Sequence, residues 1–69
     1  MVHIGKRIEQ VMTEKRYSAV WLAKAINCDR RNVYNIFKRK NLDTALLKRI
    51  SIALHHDFFK DLSDDIAFD

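Results

Sequence analysis

A chain of 69 residues forms one small domain, and its modest core leaves no room for a large substrate cleft. The absence of proline, the single glycine and the many Leu, Ile, Ala, Lys and Arg residues exclude a turn-rich β-fold and predict helices. Residues 1–55 carry a net charge of +8, and residues 56–69 carry a net charge of −4. The first of these regions should attract a polyanion, and the second should be repelled by it.

The N-terminal part of the chain predicts two helices joined by a short turn. In the first helix the apolar residues follow the i, i+4, i+7, i+8 spacing of one buried face: Ile4, Ile8, Val11 and Met12. The stretch EKRY ends this helix, and Ser18 is a suitable N-cap for the second. The second helix is expected to run to about Ile26, with three inward positions: Leu22, Ala23 and Ile26.

A third helix is predicted from an N-cap at Asp29 to about Arg39, after a sharp turn at Asn27. Asparagine tolerates the left-handed backbone of such a turn better than most residues other than glycine. The apolar residues of this helix are three and four positions apart and are expected to face the core: Val33, Ile36 and Phe37. Five polar or basic residues are then expected to face outward: Arg30, Arg31, Tyr34, Asn35 and Lys38.

Two further helices are predicted after the turn that contains Leu42. Asp43 should cap the fourth, which has a strong apolar stripe: Leu46, Leu47, Ile50, Ala53 and Leu54. Asp57 should cap a short fifth helix with inward Phe58, Phe59 and Leu62, although two adjacent phenylalanines cannot both face one way. The acidic tail, residues 63–69, is expected to be frayed. Because helices this short need a shared core, the predicted fold is an all-α, compact bundle of four to five helices.

Groups suited to catalysis or metal binding are few. Cys28 is the only cysteine, which excludes an internal disulfide, and its inward position predicts an inert thiol. His55 and His56 are adjacent and would point apart on a helix, while His3 has no predicted partner. We therefore expect no enzyme activity, no cofactor and no metal, and a reducing, cytoplasmic setting without a membrane span.

The stretch AVWLAKAINCDRRNVYNIFK, residues 19–38, resembles the helix-turn-helix of the phage Cro and lambda-repressor family, also called the XRE family. The similarity rests on positions that hold two helices across a sharp turn: Leu22, Ala23, Ile26, Asn27, Cys28, Val33 and Ile36. It extends to IGKRIEQVMTEKRYS and LDTALLKRISIALHHDFF, and so covers roughly residues 3–62. Asn27 stands where the family usually has glycine, and Ala19 stands where it often has a glutamine that touches a phosphate.

The resemblance implies a lambda repressor-like domain that binds double-stranded DNA sequence-specifically in a bacterial or phage-type transcriptional regulator, with recognition helix 29–39 in the major groove. It places base contacts at Arg30, Arg31 and Asn35, with Asn32 and Tyr34 alongside. The chemistry agrees, since Arg pairs with guanine and Asn with adenine in that groove. The predicted phosphate contacts are Ser18, Lys38, Arg39 and Lys40. Two of these residues have an alternative to a base contact. For Asn32 it is a local hydrogen bond, and for Tyr34 it is packing over the surface of the helix.

A single recognition helix contacts too few base pairs to select a genomic site, so a homodimer is expected, with dimerisation only on DNA as an alternative to a dimer in the free protein. Its predicted contact is the C-terminal region: Phe58 or Phe59 with Leu62, Ile66 and Phe68. An alternative function is a protein-interaction module, such as an antitoxin-like domain that binds a partner protein. In that alternative, the acidic tail would take part in binding the partner protein.

Overall fold

The computed structural model describes residues 2–66, which form five α-helices and no strand. The helices are α1 (Ile4–Lys15), α2 (Ala19–Ala25), α3 (Arg30–Lys38), α4 (Thr44–Leu54) and α5 (Phe58–Asp64). The all-α bundle predicted from the sequence is therefore confirmed. The helix α3 packs against both α1 and α2, while α4 packs against α2 and α5. Within residues 2–66, no helix has the length and apolar character needed to cross a membrane.

The starts of the helices are set by local side chains. Three predicted N-caps are confirmed, because each accepts a hydrogen bond from the backbone N–H three residues later: Ser18, Asp43 and Asp57. Asp29 takes the N-cap position of α3, but its side chain makes no capping hydrogen bond. The sequence analysis left His3 without a partner, which is wrong, since His3 Nδ1 accepts a hydrogen bond from the Lys6 backbone N–H at 3.1 Å and caps α1.

Among residues 2–66, three residues other than glycine adopt the left-handed backbone conformation: Arg16, Asn27 and His55. Arg16 and His55 end α1 and α4, and Asn27, with φ of 57°, makes the predicted turn between α2 and α3. The expectation that His55 and His56 share a helix is wrong. His55 is the C-cap of α4, and His56 lies in the connection to α5.

The core is apolar and draws on all five helices, with no buried polar or charged residue among residues 2–66. Every predicted inward position of α1 and α2 is buried, as are Val33 and Ile36 of α3. Phe37 and Cys28, which were expected to face the core fully, are only half-buried against it. Phe58 is fully buried and Phe59 is 38% exposed, which confirms that the two phenylalanines face different ways.

The backbone at the start of α1 is hydrogen-bonded directly to the backbone at the end of α3. The Gly5 N–H donates to the Arg39 carbonyl oxygen at 2.9 Å, and the Ile4 N–H donates to that of Lys40 at 3.1 Å. A Cβ atom on Gly5 would lie 2.6 Å from the Arg39 carbonyl oxygen and closer still to that of Ile36. Glycine is therefore required here, and it lets the otherwise unpaired first amides of α1 hold the end of α3.

The helix α5 is attached to α1 through one carboxylate. Asp61 Oδ2 accepts a hydrogen bond from Arg7 Nε at 3.1 Å and lies 2.7 Å from His56 Nε2. Burial alone would raise the pKa of Asp61, but the hydrogen bonds and charges of His56 and Arg7 lower that pKa below its ordinary value. The predicted frayed tail is wrong at its start, since Ser63 and Asp64 belong to α5. Residues 67–69 lie outside the described part of the chain.

Candidate nucleic-acid interface

The helix α3 presents a polar and basic face to solvent. All five side chains that were predicted to contact bases are exposed: Arg30, Arg31, Asn32, Tyr34 and Asn35. The three predicted phosphate contacts at the end of the helix are exposed as well: Lys38, Arg39 and Lys40. Because Val33 and Ile36 are buried on the opposite side, the orientation of this face is fixed by the core.

The basic side chains of residues 30–40 have no counter-ion within the described part of the molecule. None of the five makes an ion pair or a side-chain hydrogen bond with residues 2–66. The first turn of α3 contains no acidic residue, so Arg30 and Arg31 lie at a helix N-terminus where the helix dipole disfavours cations. Such an arrangement is stabilised when an external anion approaches the face.

Two clefts of different character flank the exposed face of α3. Toward α4, a cleft of about 240 Å³ is lined by polar and cationic residues of α3, among them Asn32, Asn35 and Arg39. Toward α1, a shallower cleft is lined by Tyr34, Phe37 and Lys38 together with residues of α1. By helical geometry Arg31, Asn35 and Lys38 point most directly away from the buried side. These three form the centre of the face.

The two residues with alternative roles are now placed. The local hydrogen bond considered for Asn32 is not formed by its side chain with any of residues 2–66, so its amide group keeps its donors and acceptor for another partner. Tyr34 packs edge-on against Phe37, with ring centroids 6.1 Å apart, and is still 50% exposed. Tyr34 thus covers the helix and also presents its ring to solvent.

Ser18 and Trp21 lie at the start of α2. Ser18 Oγ accepts the Trp21 backbone N–H at 3.0 Å, which leaves the hydroxyl proton free to donate. The Trp21 ring stacks on Tyr17 with 4.0 Å between centroids and is 36% exposed. Trp21 thus lies at the junction of α2 with the end of α1.

One basic residue next to the face, Arg49, was not predicted as a site residue. Arg49 of α4 donates a hydrogen bond from Nη2 to the Ile26 carbonyl oxygen at the end of α2. Arg49 also lines the cleft between α3 and α4. No spacing within α4 indicated this contact, because the partner oxygen lies 23 residues earlier in the chain.

The predicted dimer contact needs one correction. Phe58 is fully buried in the core, so it cannot contribute to a surface. Phe59 and Ile66 are exposed, Leu62 is half-buried against the core, and Phe68 lies outside the described residues. Ile52 of α4, which the sequence analysis did not single out, is 65% exposed and lines a shallow cleft together with Phe59.

Comparison with models of protein families, with curated proteins and with solved structures gives no match to this chain. The resemblance to the phage Cro and lambda-repressor family therefore rests on the residues quoted in the sequence analysis. Within residues 2–66, no three His, Cys, Asp or Glu side chains are grouped closely enough to hold a metal ion. A functional assignment must come from the geometry and charge of the exposed face itself.

Proposed function

We propose that the chain is a sequence-specific DNA-binding domain of a bacterial or phage-type transcriptional regulator, with α2 and α3 as a helix-turn-helix. The observation that supports this most strongly is the exposed face of α3, which carries Arg and Asn side chains without a described internal partner. A helix of this size fits the major groove of B-DNA, and Arg and Asn make bidentate contacts with guanine and adenine there. No catalytic step and no cofactor is required, and the site of action is the cytoplasm.

The proposed contacts divide by position along α3. Arg30, Arg31 and Asn35 contact base edges, with Asn32 and Tyr34 at the flanks of the face. Lys38, Arg39 and Lys40 contact phosphates where the chain leaves the groove, and the Ser18 hydroxyl donates to a phosphate at the start of α2. The hydrogen bonds from α1 to the carbonyl oxygens of Arg39 and Lys40 support this assignment, because they fix the backbone that carries two of these cations.

Selection of bound duplexes from a random pool tests the proposal, followed by titration of the chain against single-base variants of the selected site. Arg30→Ala and Arg31→Ala should each relax the preference at one base pair, by about 1–3 kcal/mol. Lys60→Ala provides a matched control, since Lys60 is an exposed cation on α5. Wild-type preferences at every position in both arginine variants would exclude α3 from the groove.

We further propose that two copies bind half-sites about 34–36 Å apart, which makes the selected site a near-palindrome. The proposed contact is the exposed apolar surface of Phe59, Ile52 and Ile66, with Leu62 at its edge. Analytical ultracentrifugation with and without the selected duplex should find a two-to-one complex, and Ile52→Asp should weaken it. A strict one-to-one complex on a site without symmetry contradicts the dimer.

A second candidate function, binding of a partner protein, is favoured by the same apolar surface. Ile52 is shared by two shallow clefts that also contain Phe59 and Trp21, and cations from Lys48 and Arg49 line their edges. An acidic, apolar segment of a partner would fit such a surface. The salt dependence of duplex binding separates the two functions, because only a DNA-binding domain should show a steep dependence on selected duplexes.

A further inference from the structure

The cleft between α3 and α4 has an uneven distribution of charge. Two arginines and three asparagines line it: Asn27, Asn32, Asn35, Arg39 and Arg49. The remaining lining residues are Cys28 and three apolar residues: Ile26, Ile36 and Leu46. No carboxylate lines the cleft, and neither arginine makes an ion pair within residues 2–66. The cleft is thus a small concavity with two cations and no anion.

Each arginine has one contact with another helix, through the backbone of Arg39 and through the side chain of Arg49. The Arg39 carbonyl oxygen accepts the Gly5 N–H of α1, so the residue cannot move away from the cleft without breaking this contact. The Arg49 guanidinium donates to the Ile26 carbonyl oxygen, which uses one of its five N–H donors and leaves the others available. The Arg49 guanidinium is therefore held at the cleft before anything binds, whereas Arg39 is fixed there only through its backbone.

The unused hydrogen-bond donors in the cleft indicate the chemistry of its occupant. The side-chain amides of Asn27, Asn32 and Asn35 make no hydrogen bond with the described residues. Guanidinium groups bind oxyanions through paired N–H groups, and the amides add further donors beside them. A carboxylate has two oxygens, whereas a phosphate group has three or four, so the phosphate uses more of these donors. The volume of about 240 Å³ is below the roughly 300–1,000 Å³ of pockets for drug-sized ligands, which favours a small anionic group.

We propose that the α3–α4 cleft is a phosphate-binding site, with Arg39 and Arg49 as its cationic pair and the three asparagine amides as additional donors. The phosphate comes from one of two sources, the backbone of duplex DNA or a small phosphorylated molecule. Because Asn32, Asn35 and Arg39 also belong to the proposed DNA interface, a small phosphorylated molecule in the cleft competes with the duplex. The DNA backbone as source rests on the proposed function, whereas the small phosphorylated molecule does not.

Titration of the free chain with inorganic pyrophosphate, followed by ¹H–¹⁵N NMR at constant ionic strength, tests the cleft without DNA. Saturable shifts are expected for the side-chain amides of the three asparagines and for the Nε–H of Arg39.

Arg39→Gln should weaken binding about tenfold, as expected when one charge-assisted contact is lost. Arg39→Gln is expected to fold normally because only its backbone contacts α1, and Arg49→Lys provides a second variant that keeps the charge but loses the paired geometry. Lys48→Gln, one residue away on α4 and outside the cleft, should bind as wild type.

Duplex binding forms the second arm of the experiment. If the backbone is the source, Arg39→Gln should flatten the log–log salt dependence of duplex binding by about 0.9, and the duplex should shift the cleft amides. If a small molecule is the source, Arg39→Gln should keep the wild-type salt slope, while pyrophosphate lowers duplex affinity in wild type and not in Arg39→Gln. If the pyrophosphate shifts do not saturate and the salt slope of Arg39→Gln equals that of wild type, the cleft is not a phosphate-binding site. This result leaves the proposal of duplex binding unaffected. A chain that binds no duplex overturns the proposed function, and the pyrophosphate arm then decides the cleft alone.

Discussion

The charged side chains of α3 and of α5 differ in where their partners lie. On α5, Asp61 is contacted from two sides, by Arg7 of α1 and by His56 before the helix. On α3 and the residues that follow it, five basic side chains have no partner within the described part of the chain. An internally paired charge such as that of Asp61 supports the fold, whereas the exposed cations of residues 30–40 remain available to an anion outside the molecule.

This contrast refines what net charge alone suggested. The acidic C-terminal region was expected to avoid a polyanion, and part of it also holds α5 against α1. The basic region was expected to attract a polyanion, and six of its twelve Lys and Arg residues lie within residues 30–40 or in the cleft beside α3. The two regions therefore make separable predictions, one for stability and one for binding.

The largest expected effect comes from removing the residue that anchors α5. Phe58→Ala should lower the free energy of unfolding by about 3–5 kcal/mol, because a fully buried ring leaves a cavity. The neighbouring change Phe59→Ala should lower it by less than about 1 kcal/mol, since that ring is 38% exposed. Urea unfolding of both variants measures the difference. Equal losses would show that the two rings do not face different ways.

The next effect concerns the contact that holds α3. Gly5→Ala places a Cβ atom against backbone carbonyl oxygens at the end of α3, so it should destabilise the fold by about 1–3 kcal/mol. Helix propensity alone predicts the opposite sign, a gain of about 1 kcal/mol, because alanine is the better helix former. The sign of the change in urea unfolding decides between the two. A more stable variant would mean that α1 and α3 do not approach so closely.

The contacts of Asp61 with Arg7 and His56 should make the free energy of unfolding depend on pH. The pKa of Asp61 is lowered in the folded state, so its contribution is present above the ordinary pKa of 3.8 and is lost as the pH falls through the lower, folded value. Asp61→Asn should cost about 1 kcal/mol at neutral pH and progressively less below pH 4. Unfolding curves at several pH values measure this. Asp64→Asn, at an exposed position paired only with Lys60, should show little change at any pH, and the same profile for both variants would contradict the assignment.

The smallest effect concerns the unpaired charges of α3 and has opposite signs at its two ends. Arg30→Ala should stabilise the free chain by about 0.3–1 kcal/mol, because it removes a cation from a helix N-terminus. Lys38→Ala should destabilise it by a similar amount of about 0.3–1 kcal/mol, because Lys38 lies in the last turn where a cation is favourable. Thermal unfolding at low salt measures both. Equal signs would indicate that these side chains have internal partners after all.

Local features of this chain followed well from the sequence. Apolar spacing predicted the buried faces, and the residue types at the helix starts predicted the side-chain caps at Ser18, Asp43 and Asp57. Asn27 was predicted as a left-handed turn because few residue types tolerate that conformation. These predictions depend on neighbours within four residues, where the geometry of a helix fixes which groups meet.

Contacts between distant parts of the chain did not follow. The role of Gly5 depends on carbonyl oxygens more than 30 residues later, and Asp61 lies 54 residues from Arg7. The hydrogen bond from Arg49 to Ile26 likewise depends on how α4 crosses the end of α2. No periodicity within one helix encodes such contacts, because they arise only when the helices have packed. The exposed face of α3 was predictable, whereas the cleft beside it was not.

The most direct test of the unpaired charges on α3 is the salt dependence of duplex affinity. Fluorescence anisotropy on a selected duplex, over about 50–200 mM salt, gives the slope of log affinity against log salt. Wild type should show a steep slope, and Lys38→Ala and Lys40→Ala should each flatten it by about 0.9, the loss of one phosphate contact. Lys60→Ala on α5 should leave it unchanged. A wild type that binds no duplex, or a slope that neither α3 variant alters, would contradict the account.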